Sequence, residues 1–234
     1  MTEREKIFAR IKEALRQPAP PPDHSHDVPL AHPRQQPGFA SSGARQWLAA
    51  VGASSKDQLA LFQKNALDLK AEVLLMTSRE ELAGSLRALR ETEQWKKVGV
   101  HAGELTDFAA GALGLAECRT DQPYNVQDLE SCGVGVSECD ALIAQTGSVL
   151  VTGRSAGGRA LSVLPPHHIV LARMSQLIAD LPEAFALLKT KYAPNYPSFI
   201  SFITGPSRTG DIERILVLGA HGPKKLTILI LAAE

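Results

Sequence analysis

"LTILIL", residues 226–231, decides how this chain folds. Only Thr227 interrupts the aliphatic run, and there is no alternation between apolar and polar residues, so a strand here has both faces buried. Such strands belong inside a parallel sheet covered by helices on both sides. Working back along the chain, "FISFI" (199–203), "HHIVLA" (167–172), "KKVGVH" (96–101) and "EVLLM" (72–76) have the same character. "CDALIAQTGSVLVTG" (139–153) reads as two strands about a turn at Thr146-Gly147. Helical spacing marks 57–71. A Ser78 cap with Glu81 three residues on opens a helix over 78–92, and Pro182 sits in the first turn of another over 180–192. The expectation is an α/β fold, a three-layer α/β/α domain over residues 43–234 with a mostly parallel sheet that holds "HHIVLA", "FISFI" and "LTILIL" together.

Residues 1–42 read differently. Ile7, Ile11 and Leu15 recur every four residues, giving an amphipathic helix over 3–16. The stretch 18–38 that follows holds seven prolines and almost no aliphatic residues, which makes it an extended linker. A single short helix is marginal by itself. The arm is therefore expected to dock, on its own domain or on another copy as a route to a homo-oligomer, unless it stays frayed. His24, His26 and His32 lie in this linker, without a scaffold to fix metal geometry.

Composition narrows the function. The chain has 234 residues, 44% of them hydrophobic, and Lys+Arg and Asp+Glu total 25 each. A neutral chain without a basic stripe does not suit nucleic acid or an anionic membrane. "MTEREKIFAR" lacks the apolar run of a signal peptide, and the longest apolar stretch is far short of a membrane span. A cytoplasmic location is expected. Cys118, Cys132 and Cys139 show no CxxC spacing, so no metal site and no cofactor is expected.

Three turns carry what chemistry the sequence offers. In "FITGPSRTGDIE" (202–213) a strand stops at Gly205-Pro206, and Ser207, Arg208 and Thr209 follow. The pattern suits a short helix starting near Ser207–Gly210, with Ser207 or Thr209 as its cap. It also suits an anion site, with free N–H groups and the two-pronged Arg208 donor at a strand end. In "GAHGPKKL" (219–226), His221 and Gly222 form a tight turn that offers a titratable ring. The third is Thr146-Gly147-Ser148. "GRSAGG" (153–158) is superficially phosphate-loop-like but lacks the Lys-Ser/Thr ending. No complete catalytic set is present, so the catalytic residues stay unassigned.

"TGS" (146–148), "RALSVLPPHHI" (159–169), "GPSRTGDIE" (205–213) and "LGAHGPKKLTILIL" (218–231) follow one another in the order of the LUD-domain family, which the chain resembles over about residues 45–234. The resemblance implies a fold similar to that of glucosamine-6-phosphate isomerases, ribose-5-phosphate isomerases and CoA transferases. It also implies a part in oxidising L-lactate to pyruvate alongside iron–sulfur partner proteins. Members of the family often carry an acidic residue where this chain has Gln145, and the cluster-ligating cysteines of the larger iron–sulfur members are absent. Two readings follow. One is an accessory or assembly subunit of a cytoplasmic iron–sulfur lactate-oxidising system. The other is an independent enzyme or binding protein for a small anionic metabolite, such as an organic acid, sugar phosphate or CoA ester. In either, Thr146, Gly147, Ser148, Gly205, Ser207, Arg208, Thr209, His221 and Gly222 are expected to line one crevice at the strand carboxyl ends, with Arg208 facing it or bracing its wall.

Overall fold

A computed structural model describes residues 3–14, 50–210, 216–218 and 221–232. Helix α1 (Glu3–Ala14) belongs to a separate unit from residues 45–234. The proline-rich stretch and its three histidines lie outside the described residues.

The core of the larger unit is a six-stranded, wholly parallel sheet. Numbered along the chain, its strands are β1 (Glu72–Met76), β2 (Lys97–Val100), β3 (Ala116–Arg119), β4 (Val134–Glu138), β7 (His167–Arg173) and β12 (Lys225–Leu231), in the spatial order β1-β12-β7-β4-β2-β3. The two-sided burial expected of "LTILIL" is seen directly. Leu229 and Leu231 pack toward α3 (Arg79–Glu93) and α4 (Glu104–Leu113), while Leu226, Ile228 and Ile230 pack toward α2 (Ser55–Asp68). The register places Ile228 beside Val170 and Ile169 beside Val136, so the central strands share both apolar layers.

A second sheet lies on the α2 side. Its order is β8-β5-β6-β9, formed by β5 (Ala141–Ile143), β6 (Ser148–Thr152), β8 (Leu177–Ile178) and β9 (Ile200–Ile203). The β5–β6 hairpin turns at Thr146-Gly147, as the sequence predicts. Its inner face shares a core with α2 and the parallel sheet, and its outer face, with Ala141, Ile143 and Leu150, packs on α6 (Leu181–Tyr192). "FISFI" is therefore not in the sheet of "HHIVLA" and "LTILIL". It pairs antiparallel with β6, Phe202 opposite Leu150, as an edge strand that is only partly buried. A short aliphatic run does not distinguish a half-covered edge strand from a fully buried central one.

The helix starts follow their sequence signals. Ser78 Oγ accepts the Glu81 N–H at 3.2 Å, and the Glu81 carboxylate takes the Thr77 N–H and hydroxyl at 2.7 Å each. Asp180 accepts the Glu183 N–H at 3.1 Å, with Pro182 in the first turn of α6. Caps of this kind contribute about 1 kcal/mol each. Among the described residues no helix is long and apolar enough to cross a membrane.

Two features of the topology position the sites. From β2 the chain leaves through α4 to β3 on one side, while from β4 it continues toward β7 on the other. The carboxyl ends of β2 and β4 thus flank a switch point, where open α/β sheets form crevices. In addition, the segment after β6 crosses the sheet over Gly99 and Gly135. A Cβ on Gly135 would lie 2.6 Å from the Leu161 carbonyl oxygen, so the crossing requires a glycine beneath it.

Candidate functional site

The three predicted turns meet, though not at the strand carboxyl ends. After β9 the chain turns through Thr204, Gly205 and Pro206. Gly205 has φ +85°, and a Cβ there would lie 2.5 Å from the Leu69 carbonyl oxygen, so only glycine fits. The Ser207 N–H donates to the Pro223 carbonyl at 2.9 Å, tying this turn to the one at His221-Gly222. The Ser148 and Thr204 hydroxyls are 2.8 Å apart, which ties in the β5–β6 hairpin. The turns at 204–207 and 221–223 border a cavity of about 320 Å³ whose lining includes Arg159, His168, Ser201, Thr204, Gly205, Ser207, His221 and Gly222, while residues 146–148 lie behind its wall. It sits where β7 and β12 begin, at the amino ends of the parallel strands. The expectation of carboxyl ends follows "FISFI" alone, whose end does lead here. The other two strands run the opposite way through the site.

His168 gives this crevice its most distinctive group. The ring is 1% exposed, with Nε2 at 2.8 Å from Ser137 Oγ and Nδ1 without any hydrogen-bond partner. Burial, together with the neighbouring His167, pushes its pKa down to about 3, so it is a neutral imidazole. A buried unpaired ring nitrogen behind the wall of a mainly apolar cavity is a group that calls for an explanation, such as a water or a ligand.

Five of the predicted residues do not line the cavity: Ser148 is buried and spent on Thr204, and four others take different roles. Arg208 does not face the cavity. Its Nη2 donates to the Leu69 carbonyl at 2.7 Å, capping the end of α2 and bracing the wall behind Gly205. The predicted helix start at 207–210 is instead strand β10 (Arg208–Gly210), paired antiparallel with β11 (Leu216–Leu218), and Thr209 is held in that ladder opposite Val217. Gly147, at φ +64°, packs on α2, where a Cβ would meet the Ala66 nitrogen at 2.6 Å. The Thr146 hydroxyl is buried with no partner. Asn65 Nδ2 holds this turn through the Ala144 and Gln145 carbonyls at 3.0 and 2.9 Å.

The carboxyl ends carry a separate, polar cleft of about 560 Å³ whose lining includes His101, Glu138, Arg154, Ser155, Arg173, Lys191 and Tyr192. Glu138, at the end of β4, caps α4 by accepting the Leu105 N–H at 2.9 Å. Asp140 is buried behind the cleft and accepts from Tyr192 Oη at 2.5 Å, Lys191 Nζ at 2.6 Å and Ser155 Oγ at 2.7 Å. Burial opposes its charge, but these donors outweigh it and hold the carboxyl below its ordinary range. Lys191 is correspondingly raised: burial works against its charge and Asp140 overcomes it. Burial, then the bond to Asp140, raises the Tyr192 phenol. Apart from Arg154 and Ser155 in "GRSAGG", none of these residues stands out in the sequence. The available signal is positional: His101 and Glu138 are strand-end residues on either side of the switch point. The cysteines are buried, and burial pushes the Cys132 thiol up to about 12 and Cys139 higher still, so both are protonated thiols.

Comparison with known proteins agrees with this architecture. Residues 59–231 match the LUD domain family. Lactate utilization protein C of Geobacillus kaustophilus is 28% identical over 88% of this chain and 96% of its own length. The protein of the same name from Geobacillus thermodenitrificans is 26% identical over 80% of this chain and 83% of its own. That from Geobacillus sp. strain WCH70 is 34% identical over 63% and 56%. A crystal structure of a DUF162 family protein from Deinococcus radiodurans superimposes with a TM-score of 0.59 at 21% identity, covering 77% of this chain and 99% of that one, which is a likeness of fold.

Proposed function

Since the chain belongs to the LUD domain family, we propose that it is an accessory or assembly component of a system that oxidises L-lactate to pyruvate, working in the cytoplasm with partner proteins that carry iron–sulfur clusters. The observation that carries this reading is the similarity to lactate utilization protein C along 96% of that protein's length. Electron transfer is assigned to the partners because Cys118, Cys132 and Cys139 lack the spacing of a cluster-ligand set.

Within that role the crevice bordered by the turns at 204–207 and 221–223 is the site for a small organic anion. Ser207, Thr204 and His221 offer hydroxyl and imidazole groups, and the Nδ1 edge of His168 is unpaired. A hydroxy acid would suit this mixture of neutral donors and acceptors with Arg159 at the rim. The test is affinity purification of the tagged full chain from its native host during growth on L-lactate. Recovery of iron–sulfur proteins, identified by mass spectrometry and by their visible absorbance, is the expected result. Recovery of the chain alone, under conditions that preserve the clusters, would overturn the accessory reading.

A further inference from the structure

The loop "GRSAGG" (153–158) is the motif the proposed role leaves unexplained. Its backbone is folded on itself: the Ala156 N–H donates to the Thr152 carbonyl at 2.9 Å and the Gly158 N–H to the Gly153 carbonyl at 3.1 Å. The loop is also pressed against the sheet, where a Cβ on Gly157 would lie 2.3 Å from His101 Cβ. It is a rigid mount rather than a cradle of free N–H groups. What it presents are two arginines, Arg154 within it and Arg159 directly after it. The Arg154 guanidinium lies over the Tyr192 ring at 5.3 Å and the Arg159 guanidinium over the Phe199 ring at 5.6 Å. Neither makes an ion pair with a carboxylate among the described residues, in contrast to Arg79, Arg119 and Arg173.

Both arginines border one groove of about 510 Å³, completed by Gly153, Gly158, Pro197, Ser198 and Phe199. The lining holds two cations, one hydroxyl and no acidic group. A concave surface with two uncompensated guanidiniums concentrates positive potential, and their ring contacts reduce the ordering each must undergo on binding. The groove adjoins its neighbours, with Arg154 also lining the carboxyl-end cleft and Arg159 the turn crevice.

We propose that this groove binds a small molecule bearing two anionic groups, one on Arg154 and one on Arg159. A diphosphate and a dicarboxylate share that chemistry, because the planar guanidinium fork donates bidentately to either. The proposal does not depend on the lactate role, and a negative purification result leaves it standing.

The test is isothermal titration calorimetry of the full chain at low salt with pyrophosphate and succinate, using orthophosphate and acetate as singly anchored controls. A dianion is expected to bind more tightly than its control, and the preferred one identifies phosphoryl or carboxylate chemistry. Arg154→Ala and Arg159→Ala should each weaken that binding about tenfold, as expected for losing one charged bidentate contact. The double variant should abolish it, and Arg154→Lys should restore part of the loss. Melting curves verify that the variants fold. Absence of binding by either dianion, or binding insensitive to Arg154→Ala, would overturn the proposal. Loss on Ser207→Ala with Arg154→Ala silent would place the anion in the turn crevice instead.

Discussion

Asp140 is a buried carboxylate held charged by a lysine, a phenol and a hydroxyl. Asp140→Asn removes the charge that Lys191 and Tyr192 are arranged around. It should cost about 2–3 kcal/mol, tempered by the half-exposed Lys191, read from chemical denaturation at pH 7. Because the folded pKa lies below the unfolded one, this stabilisation is present above pH ~4 and is lost as pH falls through the folded value. His167 and His168 act at a higher pH. Burial holds them at about 4 and about 3, against about 6.5 in the unfolded chain. Between those values the unfolded chain binds protons that the folded one refuses, so stability falls as pH drops below 6.5. Acidification from pH 7 to 5 should cost about 2 kcal/mol per histidine. His168→Gln should flatten that part of the stability–pH curve, and an unchanged slope would contradict the burial argument. Arg208 illustrates a residue whose chemistry was legible but whose direction was not. It reads as an anion-gripping fork and is instead spent on the Leu69 carbonyl. Arg208→Ala should therefore lower stability by about 1–2 kcal/mol and leave small-anion binding within twofold.

At the scale of elements, those with a local signature were readable. The Ser78 and Asp180 caps mark α3 and α6, and the Thr146-Gly147 turn marks the β5–β6 hairpin. β4 was hidden although it is a central strand, because Gly133 and Gly135 dilute its apolar pattern. Those glycines answer to the Trp95 ring and the Leu161 crossing, which are tertiary contacts no local window contains. The short strand β10 was misread because "PSRT" matches a helix cap, whereas the Ser207 N–H is taken by Pro223 and Arg208–Gly210 by β11. Glycine substitutions test this distinction. Gly135→Ala forces a methyl to 2.6 Å from backbone oxygen and should cost about 1–3 kcal/mol or more. Gly84→Ala, mid-helix on an exposed face of α3 with nothing within 4 Å, should instead stabilise by about 0.5–1 kcal/mol. Thermal melts of the two variants should move in opposite directions.

For the whole molecule, the α/β class followed from runs buried on both faces, a property written into each strand. The second sheet did not, because β9 and β5–β6 resemble central strands until their partners are known. The site was legible in part for a related reason. The turns around Gly205, Ser207, His221 and Gly222 are near in space and each carries a compact motif, while the carboxyl-end cleft collects His101, Glu138, Lys191 and Tyr192 from distant, plain segments. The N-terminal arm makes its own prediction. An amphipathic helix on a proline linker gains stability by docking, so removing residues 1–38 should change the sedimentation coefficient beyond the mass lost or lower the melting temperature. Identical behaviour would mean that the arm has no docked state. The central claim, an accessory role in lactate oxidation, is tested most directly by L-lactate-dependent dye reduction in extracts of the native host with and without this chain. The account predicts that activity is lost in the deletion strain, is restored when the chain is co-expressed, and is absent from the purified chain alone. Undiminished activity in the deletion extract, or turnover of lactate by the isolated chain, would contradict it.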